Sequence, residues 1–321
     1  MNADKMESAL KSALASQLRS FFLYKQSQGY RYMRGEWCIP NIDKLLAERD
    51  ESVITPETAR AWMADAARRG PHAVPHRATF LRQLCLYLHM FDPRTYIPPH
   101  GIIPKRPAVR PANIFTMEEL SALFEEARNV ETEVPGGFYI WMLLLYTCGL
   151  RPAEGRRLEL SDVNIEDGVL RIRQTKFKKS RYVPMSSATC GEVKEYYLRR
   201  VSAPASQNGD RFILFAPYKG DSHSCAKKFA LMIRTTGIRP HPGCRHPRQH
   251  DMRHTFAVHS LLRWYRSDPD VQARLPVLAT YMGHAEMTYT EKYLQATSAL
   301  LDEANARFRA RCAKLVEVCH E

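Results

Sequence analysis

At 321 residues the chain has room for two domains, each with its own core. With 45% hydrophobic and 25% charged residues it reads as an ordinary globular protein, and its longest apolar run, Phe138 to Leu150, is too short to span a bilayer. The formal net charge of +13 points to a polyanionic partner, nucleic acid before membrane, with a basic protein that binds no nucleic acid as the plainer alternative.

The N-terminal stretch Met1 to Leu10 carries charges of both signs and no apolar signal core, so no export signal is read there. The eight cysteines are scattered and form no Cys-x-x-Cys pair. They are expected to be reduced thiols of a cytoplasmic protein, several of them in the core.

In chain order, Leu10, Leu14, Leu18, Phe21 and Phe22 have the spacing of an amphipathic helix over residues 8 to 29. Ile42, Leu45 and Leu46 mark a second helix. Thr55-Pro56-Glu57 announces a third, with a capping threonine and proline at the first helical position. Phe80, Leu84, Tyr87, Leu88 and Phe91 mark a fourth, so residues 1–97 are expected to form a four-helix, DNA-binding domain. Aromatic and basic residues interleave at Tyr24, Lys25, Tyr30, Arg31, Tyr32 and Arg34. Arg31 and Arg34 are candidate phosphate contacts, or else part of a solvated helix end.

Residues 98–112 are rich in proline and carry Lys105, Arg106 and Arg110, which predicts a semi-rigid basic linker able to track a duplex. There are 17 basic and 10 acidic residues up to Arg110, and 30 and 24 beyond it. Both parts are therefore basic and suited to one phosphate backbone, as a two-domain clamp.

The second domain, 113–321, opens on a capping box from Thr116 to Glu119. Phe138 to Gly149 is apolar nearly all round and predicts a buried central helix. Arg151 follows at the junction with the next helix, where a buried charge needs a partner; Glu154, one turn on, can be that partner. Val169 to Arg173 and Arg181 to Pro184 alternate as strands around Lys176-Phe177-Lys178-Lys179, predicting a hairpin or three-stranded sheet. A lysine there is either a proton donor swung over a ligand or a solvated turn charge. Helices are expected near 189–200, 224–236, 250–265, 270–282 and 286–296, with an amphipathic one at 299–318.

His250 and Arg253, three apart, share a helix face. Gly283-His284 follows an apolar segment, and Tyr293 comes nine residues after His284. A cation fork, imidazoles and a phenol converging on one point suit attack on a phosphodiester. The irregular insert 239–249 places His241, Cys244 and His246 close to His250, but the spacing fits no familiar zinc pattern. That insert is expected to touch DNA or a neighbouring protomer, or to be a solvated loop.

With Gly-Leu-Arg-Pro-Ala-Glu at 149–154, His-Asp-Met-Arg-His-Thr-Phe at 250–256 and Met-Gly-His at 282–284 followed by Tyr293, the chain resembles the tyrosine recombinase (phage integrase) family over residues 113 to 297. The order of the three boxes, with a hairpin lysine between the first two, carries the resemblance. It implies a mostly α fold with a small sheet, the first ninety or so residues being the core-binding domain. It also implies cleavage of one DNA strand by tyrosine through a 3′-phosphotyrosyl link, then strand exchange through a Holliday junction by a homotetramer on two inverted-repeat sites. No metal, ATP or other cofactor is needed. Tyr293 would be the nucleophile. Arg151, Arg253 and His284 would hold the phosphate oxygens, and Lys176 would protonate the leaving oxygen, with Lys178 or Lys179 as alternatives. His250 would support the proton or the phosphate, Glu154 would orient Arg151, and Lys178 would contact DNA. Tyr289, one turn before Tyr293, is a rival nucleophile, and His254 is read as structural.

The chain begins too close to the core-binding helices for a separate arm-binding domain, and the last helix is expected to pack on the next protomer or on its own domain. The role expected is a bacterial, nucleoid-associated enzyme that integrates, excises or transposes a mobile element, with accessory DNA-bending or partner recombinase proteins. The alternatives are an Xer-like dimer-resolving recombinase, a catalytically silent DNA-binding regulator on the same fold, and a metal nuclease.

Overall fold

A computed structural model describes residues 9–29, 32–70, 73–99, 110–130, 135–173, 180–202, 222–267, 270–284, 286–295, 302–303 and 305–306. The chain forms two compact units, 1–109 and 110–321.

Unit one is helical: α1 Ala15–Ser27, α2 Met33–Glu48, α3 Pro56–Arg68 and α4 Ala73–His89. Its core gathers Leu18, Phe21 and Phe22 from α1 with Ile39, Ile42, Leu46, Trp62, Phe80 and Leu84. These are residues at the three- and four-residue intervals that bring side chains to one helix face. Helix α1 starts later than its apolar spacing predicts. The backbone N–H groups of Lys11 and Ser12 donate to the Asp43 carboxylate, at 2.7 and 3.0 Å, so a side chain satisfies this entry segment in place of a helical turn. Thr55 caps α3, accepting from the Thr58 N–H at 3.1 Å, with Pro56 next in line. Arg34 is exposed in the first turn of α2.

Unit two carries α5 Met117–Asn129, α6 Gly137–Thr147, the short α7 Pro152–Gly155, strands β1 Val163–Asn164, β2 Val169–Ile172 and β3 Arg181–Pro184, then α8 Ser187–Ser202, α9 Ser222–Thr235, α10 His250–Ser267, α11 Val271–Met282 and α12 Thr288–Glu291, which runs into a 3₁₀ turn at Lys292–Gln295. The capping box at Thr116 forms as expected, with Glu119 N–H on the threonine hydroxyl and Thr116 N–H on the Glu119 carboxylate. Helix α6 buries Phe138, Ile140, Trp141, Met142, Leu144 and Leu145, and packs between α5, α8 and α10. Burying each such side chain contributes on the order of 1.5–3 kcal/mol, so this helix anchors the unit. The three strands form one antiparallel sheet in the order β1-β2-β3, with Leu170 opposite Val183 and Ile172 opposite Arg181. Leu170, Ile172 and Val183 face the core while Tyr182 faces out. The fold is the mostly α architecture with a small sheet that the sequence implies.

Among the described residues no helix is long and apolar enough to cross a membrane. The hairpin tip with Lys176 and Lys178, the linker residues Lys105 and Arg106, Arg31, and most of the expected helix 299–318 lie outside the described residues. Arg110 is exposed where the second unit begins.

Candidate active site

Two helix ends build the centre. Helix α6 stops at Gly149, with φ +59°, and α11 stops at Gly283, with φ +69°. Both conformations suit a residue without Cβ. A Cβ on Gly149 would lie 2.4 Å from the Phe256 ring, so close approach also demands glycine there. At both ends a carbonyl meets a guanidinium. Arg253 Nη1 donates to Gly149 O, its Nη2 donates to Met282 O at 2.8 Å, and Arg151 Nη2 donates to Gly283 O at 2.8 Å. Arg253 is only 1% exposed. Among the described residues its hydrogen-bond partners are neutral: those two carbonyls, His284 and the Tyr293 phenol. Burial, and then the neighbouring Arg151, lower its pKa to about 10.

Arg151 is held from the other side by Glu154, through Nη1 at 2.7 Å and the backbone N–H at 3.0 Å. Glu154 is also gripped bidentately by Arg181, at 3.0 and 2.9 Å, and Arg181 Nε donates to Tyr281 O at 3.0 Å. Burial alone would raise the Glu154 pKa, but Arg181 and Arg151 together hold it down at about 2. The carboxylate is therefore charged and spoken for. Arg181, at the start of β3, welds the foot of the hairpin to the arginine cradle and to the end of α11. Sequence reasoning treated it as a strand residue; its place next to the basic hairpin run was the available signal.

Arg253 Nη2 also lies 3.0 Å from His284 Nε2. A guanidinium can only donate, so Nε2 is the acceptor, and Nδ1 carries the hydrogen that goes to Thr290 Oγ1 at 2.7 Å. Burial, then Arg253 and Arg151, lower the His284 pKa to about 4. His250 is lowered to about 4 by burial, then Arg253, Arg151 and Arg245. Both imidazoles are thus neutral at pH 7, and His284 orients Arg253.

Tyr293 sits on the 3₁₀ turn after α12, 7% exposed, inside the apolar cluster of α10 and α11. Its hydroxyl is 3.2 Å from His254 Nδ1 and its ring stacks at 6.0 Å on His284. Burial raises the phenol pKa, while Arg253 and Arg151 work in the opposite direction without cancelling the rise. Tyr289, by comparison, is 44% exposed. His254, read from the sequence as structural, lies within hydrogen-bond distance of the phenol. Its pKa is lowered to about 3 by burial and then by His250, Arg245, Arg253 and His284. The signal was present: His250 and His254 are one turn apart on one face, and their rings meet edge to face at 4.9 Å.

The insert before α10 packs on its own unit. Asn113 takes the His241 N–H at 2.8 Å and donates to Arg245 O, His241 Nε2 lies 3.1 Å from Glu119, and Arg245 Nη1 donates to the buried Asp251 at 2.9 Å. A cleft of about 570 Å³, lined by Arg151, Arg156, Arg248 and His250 among others, borders the cradle. A larger hollow of about 810 Å³, lined by Tyr146, Phe256, Trp264 and Val277, includes none of the cradle residues.

Residues 113–299 match the model of the Phage integrase family. Over 311 residues the chain is 32% identical to a putative integrase/recombinase, y4rB, of Sinorhizobium fredii, covering 94% of this chain and 98% of that one. It is 28% identical over 209 residues to the tyrosine recombinase XerA of Pyrococcus furiosus, covering 64% of each. Among solved structures, the Tn1549 transposon integrase in complex with transposon right-end DNA has the same fold, with a TM-score of 0.61 at 16% identity over 94% of this chain and 99% of that one.

Proposed function

The chain belongs to the phage integrase family of tyrosine recombinases, and on that premise we propose that Tyr293 cuts and rejoins DNA inside the cradle of Arg151, Arg253 and His284. The phenolic oxygen attacks a backbone phosphorus, a 3′-phosphotyrosyl bond forms, and a 5′-hydroxyl leaves. A 5′-hydroxyl from a partner duplex reverses the step on a new strand. Phosphoryl transfer of this kind is mostly positioning and charge stabilisation. Arg151 and Arg253 neutralise the non-bridging oxygens. His284 fixes the Arg253 fork and becomes a third donor once the incoming phosphate draws a proton to its Nε2. His250 steadies the phosphate, and Glu154, with Arg181, fixes Arg151. Lys176 protonates the leaving oxygen. Arg31, Arg34, Lys105, Arg106, Arg110 and Lys178 contact the DNA backbone.

The observation that carries this reading is the buried Arg253, whose described partners are neutral, beside a phenol buried in the same subunit. A positive charge held out of water with its nearest carboxylate, Glu154, already bound by Arg151 and Arg181 is costly unless an anion arrives to meet it. The assembly we propose is a homotetramer on two inverted-repeat sites, aided by accessory DNA-bending or partner recombinase proteins, at the nucleoid of a bacterial cytoplasm. The element is a mobile one, a reading supported by the near full-length likeness to an integrase/recombinase. The likeness to XerA favours dimer resolution as the second reading.

The test is a pool of duplexes with a randomised core and a nick that lets the freed end diffuse away. Wild-type protein should become covalently attached to DNA, with or without EDTA, and Tyr293→Phe should not. Attachment by Tyr293→Phe would refute the assignment, and loss of attachment in EDTA would point to a metal nuclease. Sequencing the trapped ends reports whether they match an element boundary or a dimer-resolution site.

A further inference from the structure

A buried phenol has to lose its proton before it can attack, and an imidazole nitrogen stands within reach of its hydroxyl. We propose that His254 is a catalytic residue of this chain, the general base that takes the Tyr293 proton at Nδ1. The inference rests on Tyr293 being the nucleophile. The geometry comes from two elements: α10 presents His254 one residue after Arg253, and the 3₁₀ turn after α12 presents the phenol, with 3.2 Å between hydroxyl and Nδ1. That is within hydrogen-bond reach of the proton to be moved. His250 is the other imidazole on this face, but its described contact is with the His254 ring, a step further from the phenol.

The step balances with groups already named. The phenolic O–H bond breaks and an N–H bond forms at His254 Nδ1. The freed electron pair on oxygen forms the O–P bond. The P–O5′ pair leaves with the 5′-oxygen, which takes its proton from a separate donor, Lys176 in our reading.

The groups facing His254 are His250 and Arg253 on its own helix, Arg245 from the preceding loop, and His284 and Tyr293 from the segments after α11. In the free protein burial, and then the cations among them, keep the ring neutral, and the tautomer with its hydrogen on Nε2 presents Nδ1 as an acceptor to the phenol. A backbone phosphate entering beside Arg151 and Arg253 brings negative charge that offsets those cations. The ring then becomes a better base in the complex, where the proton has to move.

The test uses full-length protein and a nicked pool with a randomised core, made once with ordinary DNA and once with sulfur at the 5′-bridging position. A thiol leaves without protonation, so the sulfur substrate isolates the attacking half of the reaction. His254→Asn keeps a hydrogen-bond acceptor in place of Nδ1 but cannot hold the proton. Covalent attachment should slow by about 100- to 1000-fold on both substrates while DNA retention and the melting temperature stay near wild type. The variant's rate should climb about tenfold per pH unit above neutrality while the wild-type rate stays flat, because hydroxide must replace the base. Added imidazole should speed His254→Ala.

Restoration of His254→Asn by the sulfur substrate would place His254 on the leaving-group side and overturn the proposal. So would a wild-type rate in the variant, or a pH profile parallel to wild type. Attachment by the wild-type protein shows separately that the tyrosine chemistry stands. If the wild type itself fails to attach, the underlying reading falls, and this proposal with it.

Discussion

Both units bury arginines almost completely, Arg77 in the first and Arg253 among those of the second, and these two are treated in opposite ways. Arg77, in α4, is 3% exposed. It lies 3.8 Å over the Trp62 ring and 5.0 Å from Trp37, and it is ion-paired with Asp65. Asp65, hydrogen-bonded first by Arg77, is held near pKa 2 despite partial burial. This charge is neutralised and packed between aromatics, as structural burial requires. Arg253, in α10, has comparable burial, but its described hydrogen-bond partners are Gly149 O, Met282 O, His284 and the Tyr293 phenol. Carbonyls orient a guanidinium without cancelling its charge. Burial alone therefore does not mark a functional arginine; what separates Arg253 from Arg77 is that no carboxylate lies within ion-pair distance among its described contacts.

The largest effect expected from that contrast is on Arg253→Met. Covalent attachment to nicked DNA should fall by roughly 10³- to 10⁵-fold, while the unfolding free energy changes by no more than about 1 kcal/mol, because lost bonds to carbonyls are offset by removal of a buried charge. Denaturant titration beside the attachment assay checks both, and a collapse of stability would put Arg253 in the class of Arg77. Gly149→Ala comes next, at about 2–4 kcal/mol of stability, since its Cβ would meet Phe256 at 2.4 Å in a left-handed backbone. If Gly149→Ala unfolds at the wild-type denaturant midpoint, the helix end is softer than described. Arg77→Met should cost about 1–2 kcal/mol with attachment unchanged in the folded fraction, Asp65 keeping Arg68 and Arg69.

Acidity separates the two regions further. The folded-state pKa values of His250 and His284, about 4, lie below the 6.5 of an unperturbed histidine. The unfolded chain then binds more protons between those values, so the stabilising contribution of these residues is complete above pH 6.5 and is lost as the pH falls toward 4. Glu154, depressed from 4.5 to about 2, adds a second loss as the pH falls through that lower window. Phosphate binding should pull protons onto the imidazoles. DNA affinity should therefore rise modestly from pH 6.5 to 5.5, with proton uptake seen as buffer-dependent binding heat. Uptake undiminished by His284→Ala would remove that residue from the account. The smallest expected effect is that of the exposed Tyr289→Phe, which should attach at the wild-type rate.

Much of this was legible in the chain. Thr116 and Thr55 announced their helices because a cap is a local interaction, written within four residues. The face shared by His250 and Arg253, and the glycines before Leu150 and His284, marked the site because helix geometry and backbone conformation are also local. Arg181 and His254 were not picked out. Their roles depend on contacts with Glu154, 27 residues before Arg181, and with Tyr293, 39 residues after His254. Such pairings are set by packing of distant elements rather than by spacing. The insert at 239–249 is likewise tied to its own unit by a distant residue, Asn113, more than 120 residues earlier.

Peptide mapping of protein trapped on the nicked pool reads the central claim directly. The account predicts a single nucleotide-bearing peptide, modified at Tyr293 and linked to a 3′-phosphate. A nucleotide on Tyr289, or a link to a 5′-phosphate, would contradict it.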